Sequence, residues 1–229
     1  MEFEAKRETY HSPAYMAAGA AMMSFAPINR IHQHICAFHV YSDDPSRVVK
    51  AYHFCTHRSA DFHQCIIFDS AEPDARLIGI EYIVTEKIFE SLPEDEKKYW
   101  HGHKYEIESG LLQIMPKKGI PAAVVDAAEK PAMLELQSTY GKTIHTWPYD
   151  INPDLPLGPP NLMMSYTNDS MGPPPELLEA RDAESGQRTE TKRQLRAEYL
   201  PPYEKSKGAD QWATTGKGIS FVPTERDLK

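Results

Sequence analysis

Four short runs decide the fold: HICAFHVYS (His34 to Ser42), KAYHFCTH (Lys50 to His57), DFHQCIIFD (Asp61 to Asp69) and ARLIGIEYIV (Ala75 to Val84). Each is rich in β-branched and aromatic residues, and turn chemistry separates them at Ser42-Asp43-Asp44-Pro45, Arg58-Ser59-Ala60 and Ser70-Ala71-Glu72-Pro73. Links this short leave no room for crossover helices, so the runs predict an antiparallel meander.

Upstream, Ser12 before Pro13 is a helix-start signal. It opens a predicted helix from Pro13 to Phe25 that is apolar nearly all round, which implies burial on several sides or contact with lipid. Downstream, EKIFESL gives a short helix, and a second cap signal at Ser91-Leu92-Pro93-Glu94 opens a polar helix to Trp100. The run YEIESGLLQIM, Tyr105 to Met115, reads as a strand broken by Gly110. Between Pro121 and Tyr140 the spacing of Val124, Val125, Ala128, Met133, Leu134 and Leu136 suits an amphipathic helix kinked at Pro131, and KTIHTWPY reads as a last strand. Eight of the 19 prolines fall between Pro148 and Pro175, in a stretch too apolar for a solvated linker that is expected to cross the core irregularly. Beyond Gly172 come a polar helix, ELLEARDAE, and a charged segment, TKRQLRAEYL, and the last thirty residues are expected to be mobile. The expected architecture is α+β. A single domain over residues 1–172 holds a central antiparallel meander flanked by helices, plus the irregular Pro-rich segment, and residues 173–229 form a polar C-terminal arm.

The formal net charge of −8 argues against a nucleic-acid partner, which requires a basic surface. Three cysteines, Cys36, Cys55 and Cys65, make a disulfide framework improbable and suit a reducing compartment, with each Cys a small core residue. MEFEAKRETYHSP lacks the apolar region of a secretory signal, and the longest nearly uncharged apolar run, Ala14 to Ala26, is well short of the ~20 residues that span a bilayer. A cytoplasmic chain with no transmembrane segment is the expectation.

The ten histidines carry the chemistry. Residues two apart on a strand share a face, which aligns His34 with Cys36 and Phe38, and His53 with Cys55 and His57. Convergence of His34, His53 and Glu81 on one side of the sheet is then expected. In the run Trp100-His101-Gly102-His103-Lys104-Tyr105-Glu106, the His-x-His pair offers two nitrogens to one metal. Two or more imidazoles and a carboxylate suit a divalent ion, Zn, Fe or Mn. The reading assigns His101, His103, His53 and His34 as metal ligands and Glu81 as ligand or general base. Glu106 orients an imidazole from behind, and Phe38, Tyr52, Phe54 and Trp100 form an apolar substrate lining. Taken singly, His32, His39, His57, His63 and His145 read as structural or surface residues. The Glu after the His-x-His comes one residue too early for a cupin, and no second cupin motif follows.

The strings QHICAFHVYSDDPSRVVKAYHF, DFHQCIIFDS, ARLIGIEYIVTEKIFESLPEDEKKYWHGHKYEIESG and LPLGPPNLMMS resemble the oil body-associated protein family from about Met16 to Ser165. The matching positions include His34, Cys36, His53, Asp61, Gln64, Cys65, Glu81, Tyr82, Trp100, His101, His103 and Glu106. Cys55, His57, His63 and the arm beyond Asp182 depart from the family pattern. The resemblance implies association with lipid droplets and a part in their stability or size, and it supplies no catalytic mechanism. Two functions follow as expectations. One is peripheral attachment to a droplet surface through the Met-rich helix or through Leu155 to Met164; the Met-rich helix is equally suited to a homo-oligomer contact. The other is a metal-dependent hydrolytic or oxidative enzyme acting on an apolar small molecule, lipid-like or polyketide-like.

Overall fold

The computed structural model describes residues 8–228; the reading of residues 1–7 as free of a secretory signal lies outside them. The chain divides into two units, one up to His32 and one from Gln33 onward.

In the first unit the Tyr15 N–H donates to Ser12 Oγ at 3.2 Å and opens helix α1, Pro13–Met22. A 3-10 turn follows at Ile28–Arg30. Of the two expectations for this helix, burial or lipid contact, burial is corrected: Gly19 is its one buried residue, while Met16, Met22 and, beyond the helix, Phe25 are exposed. A helix apolar all round offers no stripe by which a core selects one face.

The second unit is built on strands β1 (Gln33–Tyr41), β2 (Val48–Ser59), β3 (Phe62–Phe68), β4 (Leu77–Thr85), β5 (His101–Gly102), β6 (Gln113–Ile114), β7 (Thr139–His145) and β8 (Asn161–Met164). The first four form the antiparallel meander in chain order. β7 then pairs with β4, and β8 pairs with β7 on one side and β1 on the other. The meander therefore closes into a six-stranded antiparallel barrel, to which β5 adds beside β7 and β6 beside β1. Closure leaves the six strands no free edge.

β8 lies inside the Pro-rich segment, whose expected irregular path is corrected at Asn161–Met164. Leu162, Met163 and Met164 are all buried, so this strand meets apolar surroundings on both faces. The run from Tyr105 is also corrected. Lys104–Glu108 forms a helical turn, α4 (the helices α2 and α3 before it are Glu86–Glu90 and Glu94–Lys97), and of this run only Gln113–Ile114 joins the sheet. Winding buries the adjacent Glu106 and Ile107 together. Gly110, at φ +80°, reverses the chain where a Cβ would overlap the Thr189 carbonyl oxygen.

Helix α5, Ala122–Leu136, runs through Pro131 and places Met133 and Leu136 against the inward residues Ile35, Ala37, Cys55, Cys65 and Ile83, closing one end of the barrel. Cys55 and Cys65 stand directly opposite each other on β2 and β3, Cα atoms 4.1 Å apart, and are joined by a disulfide, whereas Cys36 is free and buried. The expectation of three separate core cysteines is corrected for that pair, because the strand register sets them face to face.

The polar arm carries helices α6 (Pro175–Ser185), α7 (Thr189–Ala197) and α8 (Gln211–Thr215). It is anchored by buried charge. Arg196 forks onto Glu129 of α5, with Nε–Oε1 3.3 Å and Nη2–Oε2 3.2 Å, and its Nη1 donates to the carbonyls of Ile107 and Leu112 at 2.8 and 2.9 Å. Arg181 donates to the Leu111 carbonyl. The expected mobility of the last residues is corrected around Asp210: its N–H donates to the Trp100 carbonyl at 3.0 Å, its carboxylate accepts from the Gly102 N–H at 3.2 Å, and Trp212 is buried.

A buried histidine and glutamate centre in the barrel

Directly opposed residues of antiparallel strands project to the same side. The pairs Ile35↔His53, Cys55↔Cys65, Cys65↔Glu81 and Glu81↔Thr143 thereby carry one inward face around the barrel. His39 shares that face on β1, His145 shares it on β7, and β5 sets His101 opposite Gly141. The absent side chain at Gly141 makes the room: a Cβ there would lie 2.8 Å from His101 Nε2 and overlap Glu81 Oε1.

Glu81 is the hub. Its Oε2 lies 3.1 Å from His53 Nε2, and its Oε1 lies 3.3 Å from His101 Nε2 and 3.5 Å from His103 Nε2, while Thr143 Oγ1 donates to Oε1 at 2.8 Å. His39 comes in beside His53, and its Nδ1 meets His145 Nε2 at 3.0 Å. All these side chains are essentially inaccessible to solvent.

Hydrogen bonding on the far sides of two rings fixes their tautomers. His53 Nδ1 faces the Ala51 carbonyl at 3.1 Å, and a carbonyl only accepts, so Nδ1 carries a proton. Thr139 donates its hydroxyl to the Leu136 carbonyl at 2.8 Å, and so accepts from His103 Nδ1, also at 2.8 Å. In their neutral forms both imidazoles therefore turn an Nε2 lone pair toward the Glu81 carboxylate. Among the described residues His53 Nε2 and both nitrogens of His101 have no hydrogen-bond partner.

The electrostatics separate the groups. Burial alone would raise the Glu81 carboxyl, but the facing imidazoles of His101, His103 and His53 outweigh it and hold it well below the usual carboxylate range. Burial likewise disfavours His101 as a cation, yet Glu81, Glu106 and Asp210 together raise it above its ordinary value. Burial drives His39 far down and His145 to about 3, so both are neutral. Glu106 on α4 is raised by burial against the opposing influence of His103 and His101, and its Oε1 has no hydrogen-bond partner among the described residues.

Of the residues picked out in the sequence, the barrel brings His53, Glu81, His101 and His103 together. His34 is corrected: it sits opposite Phe54 on the outer face of the hairpin and stacks on that ring at 4.2 Å. The apolar lining is corrected as well. Phe38 lies under the Arg181 guanidinium, the Tyr52 hydroxyl donates to Glu184, and Phe54 meets Phe68, all on the outside of the barrel wall. Trp100 packs near Phe89 and gives its indole N–H to Glu96 at 3.0 Å. The residue that replaces His34 beside His53 is His39. The observed register Val40↔Val48 makes residues of like parity on β1 and β2 share a face, and no turn signal in the sequence points to it.

The fold and site define a class: a closed antiparallel barrel, plugged by a helix, with a solvent-free cluster of imidazoles around one carboxylate. The chain belongs to the oil body-associated protein family. Residues 25–200 match the family described as "Protein of unknown function (DUF1264)". Oil body-associated protein 1B of Arabidopsis thaliana is 41% identical over 213 residues, covering 93% of this chain and 84% of the relative. Oil body-associated protein 1A of Zea mays is 41% identical over 212 residues, covering 92% and 84%, and Oil body-associated protein 2B of Arabidopsis thaliana is 41% identical over 224 residues, covering 96% and 87%. No solved structure matches the chain.

Proposed function

We propose that the barrel holds one divalent transition-metal ion on the Glu81 carboxylate, with imidazole ligands drawn from His101 and His103 on one side of it and from His53 and His39 on the other. The observation that carries this reading is the pair of locked tautomers. In the neutral rings two Nε2 lone pairs face the carboxylate with no proton between, and an ion placed there turns that contact into coordination. Metal-bound histidines characteristically donate their second ring N–H to a carbonyl or hydroxyl, as His53 does to Ala51 and His103 does to Thr139. Glu81, His101 and His103 offer donor atoms that all lie within 4.8 Å of one another, and so do Glu81, His53 and His39, a spread that suits ligands about an ion with bonds near ~2.1 Å. Zn, Fe(II) and Mn all accept this donor set.

Because every ligand is sealed from solvent, and Phe38, Tyr52 and Phe54 lie outside, a resident ion fits better than an open hydrolytic or oxidative site for a lipid-like substrate. Elemental analysis of the full chain, purified without chelator or affinity tag, tests the reading. The equivalent held at Glu81 is expected in the parent and should be lost from His101→Ala/His103→Ala. A metal-free parent that gains none when refolded with Zn, Fe(II) or Mn would overturn it.

The names of the relatives favour a second, compatible reading: attachment of this chain to a lipid-droplet surface. Among the described residues no helix is long and apolar enough to cross a membrane. Attachment is therefore peripheral, and the exposed Leu155 and Leu157 in the second unit and Met16 and Met22 in the first are the side chains offered to a monolayer. Flotation with phospholipid-coated triacylglycerol droplets tests it. Co-flotation reduced by Leu155→Ser/Leu157→Ser or by Met16→Ser/Met22→Ser supports the reading, and no flotation of the parent counts against it.

A further inference from the structure

A second cluster lies on the β2–β3 hairpin. His57 and His63 are directly opposed across that hairpin, their ring centroids 3.7 Å apart, just before the register shift between His57 and Ser59. Glu135, in the last turn of α5, reaches over both: its Oε1 lies 3.1 Å from His63 Nε2 and 3.4 Å from His57 Nε2. We propose that His57, His63 and Glu135 form a separate, solvent-facing binding site for a borderline transition-metal cation of the Zn²⁺ type.

Three features carry the assignment. The three donor atoms lie within 4.8 Å of one another, and the two measured nitrogen–oxygen separations suit ligands sharing one ion with bonds near ~2.1 Å. The donors differ in accessibility: His63 is 2% exposed while the side chains of His57 and Glu135 are 30% and 42% exposed, so an ion has both a fixed anchor and an open approach. Finally, the geometry comes from rigid elements. Two ligands sit on paired strands held by the adjacent Cys55–Cys65 bridge, and the third sits on the helix that plugs the barrel. Three protein ligands leave the remaining coordination positions to water or a small anionic or imidazole-bearing ligand. Occupancy would also clip α5 to the hairpin, which makes the site a metal-dependent fastener of the plug.

The site shares no residue with the Glu81 centre, so the two are tested apart. Full-length chain stripped of metal would be titrated with Zn²⁺ against a chromophoric chelator, alongside thermal unfolding with and without Zn²⁺. His57→Ala and Glu135→Gln change partly exposed side chains and are expected to fold. In both, the affinity of one Zn²⁺ equivalent should fall at least tenfold and the Zn²⁺-induced rise in melting temperature should shrink. His101→Ala/His103→Ala should retain that equivalent. Zn²⁺ affinity and stoichiometry unchanged in both His57→Ala and Glu135→Gln would overturn the site, whatever the outcome at Glu81.

Discussion

Substituting Gly141 by Ala adds one methyl group at the place where the barrel wall and the Glu81 centre are closest. Two effects oppose each other. Loss of glycine's backbone freedom in the unfolded chain stabilises the folded state by about 0.4–1 kcal/mol where the native backbone tolerates a side chain, and Gly141 sits in a strand without a positive φ. Against this, the new Cβ would lie 2.8 Å from both Cε1 and Nε2 of His101 and would overlap Glu81 Oε1. Neither neighbour has a free end to swing away: Glu81 is held by Thr143, and His101 is held through its backbone pairing to Gly141 itself. Forcing a methyl into a closed core of this kind costs typically about 1–3 kcal/mol, so the net expectation is a loss of about 1–2 kcal/mol. Displacing His101 and Glu81 should also lower metal content. The control is Gly172→Ala, where the added Cβ meets nothing within 4 Å and which should unfold like the parent or slightly later. Urea unfolding followed by tryptophan fluorescence gives both free energies. Equal midpoints for Gly141→Ala and the parent, with metal content unchanged, would refute the packing argument.

Arg196→Met strands Glu129 and two carbonyls inside the protein, leaving Lys192 Nζ, 3.1 Å from Glu129, as its remaining countercharge; a loss of about 3–5 kcal/mol is expected in the same urea assay. Burial pushes the Cys36 thiol up to about 12, and the other two cysteines are paired, so a thiol reagent at pH 8 should find no reactive group in the native chain and one after denaturation without reductant. Burial also holds His34 down to about 4, with His53 adding to the shift and Glu184 opposing it. A histidine depressed on folding contributes fully above its unfolded value of about 6.5 and loses that contribution as pH falls toward 4. Over that window the parent should lose stability relative to His34→Phe, which keeps the stack on Phe54; parallel pH profiles would count against the assignment.

How much of this was legible in the sequence depended on what set each register. The meander was readable because four β-rich runs were separated by links too short for helices. Its closure was not: β8 is four residues, Asn161–Met164, set in a proline-rich stretch that reads as non-strand, and β1, the partner that closes the barrel, is far away in the chain. The burial of Arg181 and Arg196 was equally hidden, since a charged side chain in a polar helix signals solvent unless its acceptors are known. Those acceptors, the carbonyls of Ile107, Leu111 and Leu112, lie some seventy to ninety residues upstream.

The centre divides along the same line. His101 and His103 were readable as a pair because their spacing is local, and His53 and Glu81 because each lies mid-strand in a well-marked run. His34 was placed on their face and His39 off it because the β1–β2 link, Ser42 to Arg47, is too long for turn type to dictate the register. A slip of one residue exchanges every side chain between the two faces of a strand. The observed pairing Val40↔Val48 joins residues of like parity, which turns His39 inward beside His53 and sends His34 outward to Phe54. The one-residue difference decides which histidine stands beside the proposed ion, and it predicts that His39→Ala, unlike His34→Ala, perturbs metal retention.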